Sequence, residues 1–284
     1  MPPDTPCIVL CVSSNPDRFY ETRWYSDIFM QMNEKQPSAS LTPHPPLADY
    51  YATAENRRGF VRDIFNNTAP DYDRVERIMA FGSGPWYRRR ALARAGLRPG
   101  MRVLDVAMGT GLVAREAMVL AGDSGQVIGL DPSIGMVSEA KRTLEIPVVL
   151  GRGELLPLQG QTFNFLSMGY ALRHVSDIDA AVREYFRVLK PGGRVCLLEI
   201  TRPRGRLALL FLRLYMKGVV PLITRFVARH AETTRLMEYY WDTIAACVPP
   251  ETILAALTRA GFRNVRRQTD LGIFSSYLGS KPVP

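Results

Sequence analysis

From residue 101 onward the chain alternates between two kinds of apolar pattern. Residues 101–106, 126–130, 148–150, 162–168 and 194–200 are short, near-continuous apolar runs bounded by Gly, Pro or polar residues, as in strands buried on both faces. Between them, 113–121, 134–144 and 178–189 place apolar residues three and four apart, which lines one face of a helix. Strands and helices joined by short links predict a doubly wound, mostly parallel α/β sheet with its ligand at the carboxyl ends of the strands. A helix over 250–260 and strands over 265–268 and 273–279 complete a seven-stranded sheet with an antiparallel edge.

Two regions depart from that alternation. Upstream, apolar positions predict helices over 57–66, 72–80 and 86–94, which would cap the ligand end of the sheet. Residues 202–248 are inserted after the fifth strand and read as a helical lid. Within it, 207–227 is apolar over the length of a membrane span, yet Arg213, Lys217 and Arg225 recur at helical spacing. A spanning helix would face about 2.5–3.5 kcal/mol for each central Arg or Lys, which argues against a crossing. Two readings stand: an amphipathic lid packed over the sheet with a solvated basic stripe, or one that also makes peripheral contact with a membrane surface.

Residues 1–48 read as a flexible extension, with Pro37, Pro43, Pro45 and Pro46 after an aromatic cluster of Phe19, Tyr20, Trp24, Tyr25 and Phe29. The main domain then covers 49–284. The apolar run 7–12 is too short for the core of a secretion signal. With 284 residues and 46% hydrophobic content, the chain can bury one large α/β core. A net charge of +9 favours anionic partners without choosing among nucleic acid, acidic headgroups and phosphorylated substrates. Cys7, Cys11, Cys196 and Cys247 form no C-x-x-C pair, so reduced thiols in a cytoplasmic protein are expected, with no zinc site and no disulfide framework.

The chemistry concentrates in Asp105-Val106-Ala107-Met108-Gly109-Thr110-Gly111, a strand breaking into a glycine turn that opens a helix. Glycines there permit positive φ and leave no side chain between backbone N–H groups and a cofactor. The spacing Gly109-x-Gly111-x-x-Ala114 also fits a dinucleotide fingerprint, and Asp131 ends the next strand where an acid would grip ribose hydroxyls in either case. Two features move the balance. Asp105 lies inside the strand, a placement the nicotinamide fingerprint does not ask for. Residues 188–195 end a helix with Pro191-Gly192-Gly193 and start a strand within four residues. The pair of motifs resembles class I S-adenosylmethionine-dependent methyltransferases, whose fold is Rossmann-like.

Further segments narrow the resemblance. Tyr72-Asp73 with Met79-Ala80-Phe81-Gly82, Glu154-Leu155-Leu156-Pro157, and Leu172-Arg173-His174-Val175 are similar to signatures of the ubiquinone and menaquinone biosynthesis C-methyltransferase family. The resemblance spans roughly residues 65–265 and implies S-adenosyl-L-methionine as cofactor, a lipophilic quinol or related prenylated or aromatic acceptor, no metal, and no nucleic-acid partner. It implies that Gly109 and Gly111 admit the methionine moiety and sugar, Asp105 helps position the cofactor's amino end, and Asp131 accepts the ribose hydroxyls. Ala107, Thr110, Pro132, Gly153, Glu154 and Tyr170 complete the expected cofactor contacts. Arg173 is expected to stabilise a phenolate with Tyr72 as its partner, and His174 is an alternative base near neutral pH. Glu199 would face the cleft or satisfy lid residues, and Tyr239, Tyr240 and Trp241 would wall an apolar acceptor.

The chain departs from the family pattern at Met108, expected to narrow the cofactor mouth, and at Arg152, where Asn or Asp usually meets adenine. It departs again at Asn164, at His174 and at Glu76-Arg77. These changes put quinone specificity in question. They leave open a second lipophilic acceptor, such as a prenyl diphosphate or an aromatic secondary metabolite, and a non-catalytic cofactor-binding partner in a biosynthetic complex.

Overall fold

A computed structural model describes residues 40–227 and 232–284; the aromatic cluster at 19–29 lies outside them. Seven strands form one sheet: β1 (Arg102–Val106), β2 (Gln126–Asp131), β3 (Val148–Leu150), β4 (Phe163–Gly169), β5 (Leu189–Ile200), β6 (Arg263–Asp270) and β7 (Phe274–Ser280). Their order is β3-β2-β1-β4-β5-β7-β6. The first five pair in parallel, and β7 runs antiparallel to both β5 and β6. The expected edge is therefore present. The order reverses between β1 and β4, so the loops after those strands part and open a crevice.

Helices α1 (Ala54–Met79), α2 (Gly84–Ala95), α3 (Leu112–Ala121), α4 (Ile134–Lys141) and α5 (Ile178–Val188) precede β5. After it come α6 (Arg206–Leu214), α7 (Val220–Val227), α8 (Glu232–Ala246) and α9 (Pro250–Arg259). Strand side chains alternate between faces. Leu104, Leu166 and Leu197 pack on α5 and α9, while Val103, Phe165 and Cys196 pack on α2 and α3. That double cover explains why the strand sequences are apolar throughout.

A third core lies off the sheet, where α1, the 206–227 helix and α8 bury Ile64, Val75, Leu212, Met216, Val220, Leu236 and Ile244. Here the structure corrects two expectations. The helices expected over 57–66 and 72–80 are one helix, α1, which runs through Pro70. Proline removes the hydrogen bond to the carbonyl four residues back, but Thr68, Ala69 and Asp71 are all buried against the body and carry the helix across. Within the inserted segment, the 206–227 helix does not close over the sheet but forms an outer layer on α1 and α8, and it is α8 that reaches the cavity, through Tyr240.

Residues 40–53 belong to this body as well. The Leu41 carbonyl accepts the Ile178 N–H, the Pro43 carbonyl accepts the Val248 N–H, and His44 is buried. The last part of the expected extension is thus a packed strap.

Candidate active site

The crevice holds a cavity of about 580 Å³ at the carboxyl ends of β1, β2 and β4. Its floor is backbone. After β1, Ala107 and Gly109 take positive φ of 52° and 58°, and Gly111 (φ 87°) caps α3. A Cβ on Gly109 would project into open space, its nearest neighbour being the Met136 sulfur at 4.0 Å. A ligand can therefore lie on that peptide. After β4, Tyr170 also has positive φ (60°) and donates its N–H to Leu198 (2.7 Å), so both lips of the crevice hold a non-glycine residue in a costly conformation.

Asp131 closes β2 and faces this floor. Its Oδ2 accepts the Gly109 N–H and its Oδ1 the Ser133 N–H, both at 2.8 Å. Each oxygen keeps a second lone pair for a vicinal diol. Burial pushes its pKa up to about 6, so the carboxylate is ionised at neutral pH. Ala107, Thr110, Pro132, Gly153, Glu154 and Tyr170 also line the cavity. Glu154 holds its far wall in place by accepting the Ser176 N–H.

Other expected cofactor residues work at one remove. Asp105 lies beneath the floor, fully buried, with Ser167 Oγ donating to its Oδ1 at 2.7 Å. Burial raises its pKa to about 7. Gly111 is glycine because a Cβ there would come within 2.2 Å of Leu144, a packing constraint rather than a ligand contact. Met108 lines the cavity, with its sulfur turned onto Gly129 of β2, where a Cβ would lie 1.9 Å away. Asn164 is structural, accepting the Arg102 N–H through its Oδ1 (3.0 Å). Arg152 lines the cavity beside Gly153 and Glu154, and burial lowers its pKa.

The opposite wall is made of side chains from α1, the 3-10 turn Leu172–His174 and α8. Phe65, Tyr72, His174 and Tyr240 line it. Phe65 meets His174 edge-on with ring centroids 5.3 Å apart, while Tyr239 and Tyr240 stack on His174 at 5.4 and 5.8 Å. The hydroxyls of Tyr72 and Tyr240 are 2.8 Å apart, and burial raises both phenol pKa values, so both stay protonated. Burial, then the neighbouring Arg173 charge, hold the His174 pKa well below its usual value, leaving a neutral imidazole. Its Nδ1 lies 3.4 Å from the Tyr239 hydroxyl, and its buried Nε2 has no hydrogen-bond partner among the described residues.

Arg173 is placed differently from expectation. Its partner is Glu199 at the end of β5, 2.5 Å from Nη1, with Thr243 Oγ1 accepting from Nε at 3.2 Å. Burial works against the guanidinium charge, and the Glu199 carboxylate overrides it. The guanidinium sits 4.8 Å from the Tyr240 ring centre and does not line the cavity, so it acts on the site through that ring. Glu199 Oε1 also accepts the Leu172 N–H (2.7 Å), fixing the turn that carries His174.

Three residues not assigned to the site from the sequence hold this wall, and two of them tie it to the floor. Asn66 Oδ1 accepts both Ser133 Oγ (2.7 Å) and the Gly135 N–H (3.0 Å). Asp73 accepts the Thr110 hydroxyl at 2.5 Å. Arg57 donates to the Arg173 carbonyl (2.8 Å) and to His44 Nε2 (3.1 Å), while His44 Nδ1 donates to the Pro45 carbonyl, which fixes the neutral tautomer. These contacts join residues far apart in sequence and leave no local pattern; only Asp73 fell within a recognised motif.

Comparison with known proteins fits this geometry. Residues 51–281 match the model of the ubiE/COQ5 methyltransferase family. The chain is 31% identical over 237 residues to a ubiquinone/menaquinone biosynthesis C-methyltransferase UbiE from Shewanella sediminis, covering 80% of this chain and 93% of that protein. It is 33% identical over 238 residues to a demethylmenaquinone methyltransferase from Symbiobacterium thermophilum, covering 80% and 94%. Among solved structures, a possible histamine N-methyltransferase from Thermotoga maritima superposes with a TM-score of 0.55 at 20% identity, over 77% of this chain and 99% of that one. The [4+2]-cyclase SpnF gives 0.56 at 18%, over 86% and 100%. The fold alone thus houses more than one chemistry.

Proposed function

Because the chain belongs to the ubiE/COQ5 methyltransferase family, an S-adenosylmethionine-dependent enzyme, we propose that it methylates a ring carbon of a lipophilic quinol. The observation that carries this reading is the aromatic wall of Phe65, Tyr72, His174 and Tyr240 facing the cofactor floor. Such a wall accepts a flat, weakly polar ring and offers it few charges.

The cofactor supplies an electrophilic methyl group on a sulfonium. Asp131 would hold its ribose hydroxyls, the Ala107–Gly109 backbone would admit its methionine end, and Gly153 and Glu154 would border its adenine. The chain's task is then alignment, since a nucleophile held about 3–3.5 Å from the methyl gains most of its acceleration from position. A ring carbon becomes nucleophilic as the quinol hydroxyl gives up its proton. Tyr72 and Tyr240 are protonated and donate, so they suit the resulting oxygen anion. His174 lines the cavity with its Nε2 unpartnered among the described residues, which places it to take the proton against the lowered basicity that burial and Arg173 impose. Arg173 supports the anion through Tyr240 rather than by touching it.

A second reading rests on the arginines at the cavity wall, Arg58, Arg62, Arg88 and Arg152. They would favour an acceptor with an anionic group, such as a prenyl diphosphate. The test is mass spectrometry of lipid extract incubated with the protein and methyl-labelled S-adenosylmethionine. Label on a quinone-sized lipid supports the first reading, and label on a diphosphate supports the second. Tight cofactor binding with no label anywhere would sink both and leave a non-catalytic partner.

A further inference from the structure

The 206–227 helix carries the largest run of exposed apolar side chains among the described residues. Leu207, Phe211 and Phe226 are 73%, 70% and 80% exposed, with Leu210, Leu214 and Leu222 also more than half exposed. The opposite face is buried through Leu212, Met216, Val220 and Thr224. These four are spaced by four residues, a spacing that drifts by about 40° per step around an ordinary α-helix. Over two or three steps the buried face would turn away from the body.

The drift is absorbed by a turn of π-helix over Tyr215–Val219, where the Val220 N–H reaches back to the Tyr215 carbonyl. Pro221 accounts for it, since it has no N–H to give and its ring crowds the carbonyl four residues earlier, so the preceding turn widens. The extra residue resets the phase. Leu212 to Thr224 then share one face, and Leu207, Phe211, Leu214, Leu222 and Phe226 share the other. Arg206, Arg213, Lys217 and Arg225 fall together along one flank between them, by the same angular count.

We propose that this outer face is a membrane-docking surface that lies flat on a bilayer and reads anionic headgroups. Charge selects this occupant. Residues 201–227 hold six basic side chains and no acidic one. Two pair across the surface, Arg204 with Glu251 (3.5 Å) and Lys217 with Asp242 (3.7 Å), while Arg206, Arg213 and Arg225 are exposed. A second copy meeting this face by antiparallel two-fold packing would bring the basic flanks together, and an anionic headgroup layer would not. The helix is long and apolar enough to cross a membrane, but its inner face is already committed to α1 and α8, so it docks without crossing. Tyr215 anchors its middle by donating to the Met79 carbonyl (2.7 Å), next to exposed Phe81 and Trp86.

The test is co-sedimentation of the full chain with phosphatidylcholine vesicles, with and without phosphatidylglycerol. Binding to the anionic vesicles is expected, weakened about ten-fold or more both by Phe211→Glu with Phe226→Glu and by Arg213→Glu with Arg225→Glu, and reduced by salt. These side chains are exposed, so thermal melting and cofactor affinity should stay unchanged in both variants; that keeps this result separate from the fate of the methyl-transfer reading. Absence of vesicle binding, or binding indifferent to both pairs of substitutions, overturns the proposal. So does a dimer in solution that the Phe211→Glu, Phe226→Glu variant splits while vesicles remain unbound.

Discussion

The two walls of the cavity are built by different means. The wall proposed to hold the cofactor is made of backbone peptides at the ends of parallel strands, held by Asp131 and by positive φ at Ala107 and Gly109. The wall proposed to face the acceptor is made of side chains projected from α1, the 172–174 turn and α8. A backbone wall changes little when side chains drift, whereas a side-chain wall can be rewritten residue by residue. On the proposed reading, the first wall holds the cofactor and specificity for the acceptor resides in the second.

The largest expected effect breaks the acceptor wall alone. Glu199→Ala leaves Arg173 buried without its carboxylate, and removing one partner of a buried pair costs about 3–5 kcal/mol. Thermal melting should fall by roughly 10 °C. Glu199→Gln, which can still accept the Leu172 N–H, should lose less. A melt unchanged in the alanine variant would mean that Arg173 is supported from elsewhere.

On the cofactor side, Asp131→Ala removes an ionised acceptor of two hydroxyl bonds. Hydrogen bonds to charged groups are worth about 1.5–3 kcal/mol, so S-adenosylmethionine affinity should drop roughly 10–100-fold by calorimetry. His174→Phe should do the reverse, leaving cofactor affinity intact while turnover falls by about 10²-fold, the usual contribution of a positioned proton acceptor. If the two variants exchange these phenotypes, the assignment of walls is wrong.

This division also explains what could be read in the sequence. The glycine turn, Asp131 and the strand-helix alternation are local patterns, and their elements stand close to where the pattern puts them. Misreadings cluster where distant contacts override local preference. Pro70 should have ended a helix, and burial of Thr68, Ala69 and Asp71 carries α1 through it. Arg173 was paired with Tyr72, yet its carboxylate partner, Glu199, lies 26 residues downstream on β5. No period or motif announces such a partner.

Asn66 tests how tightly the walls are coupled. Its side chain is the bridge from α1 to the turn carrying Asp131, through two hydrogen bonds. Asn66→Ala should cost about 1–2 kcal/mol of stability. It should also weaken cofactor binding several-fold even though Asn66 does not line the cavity. Cofactor affinity equal to that of the parent chain would make the two walls independent.

The smallest effect is a difference in pH response. With its pKa raised by burial to about 6, Asp131 takes up a proton below that pH and loses acceptor capacity. Cofactor affinity should decline as pH falls through about 6, and Asp131→Asn should flatten that decline. His174 stays neutral because its pKa is depressed by burial and then by Arg173, so turnover at saturating cofactor should lack an acid limb near 6.5. The stability linkage has opposite signs on the two sides. Asp131, raised on folding, stabilises the fold most below 3.8 and gives that up as pH rises through about 6. His44, lowered to about 4 by burial and by Arg57, stabilises it above 6.5 and gives that up as pH falls toward 4. Between pH 4 and 6 a fall in pH strengthens the contribution of Asp131, joined by Asp105, and weakens that of His44, joined by His174, so melting temperature should vary little there while cofactor affinity moves; a melt that tracks affinity across this range would show that the buried histidines outweigh the buried aspartates in the acid response.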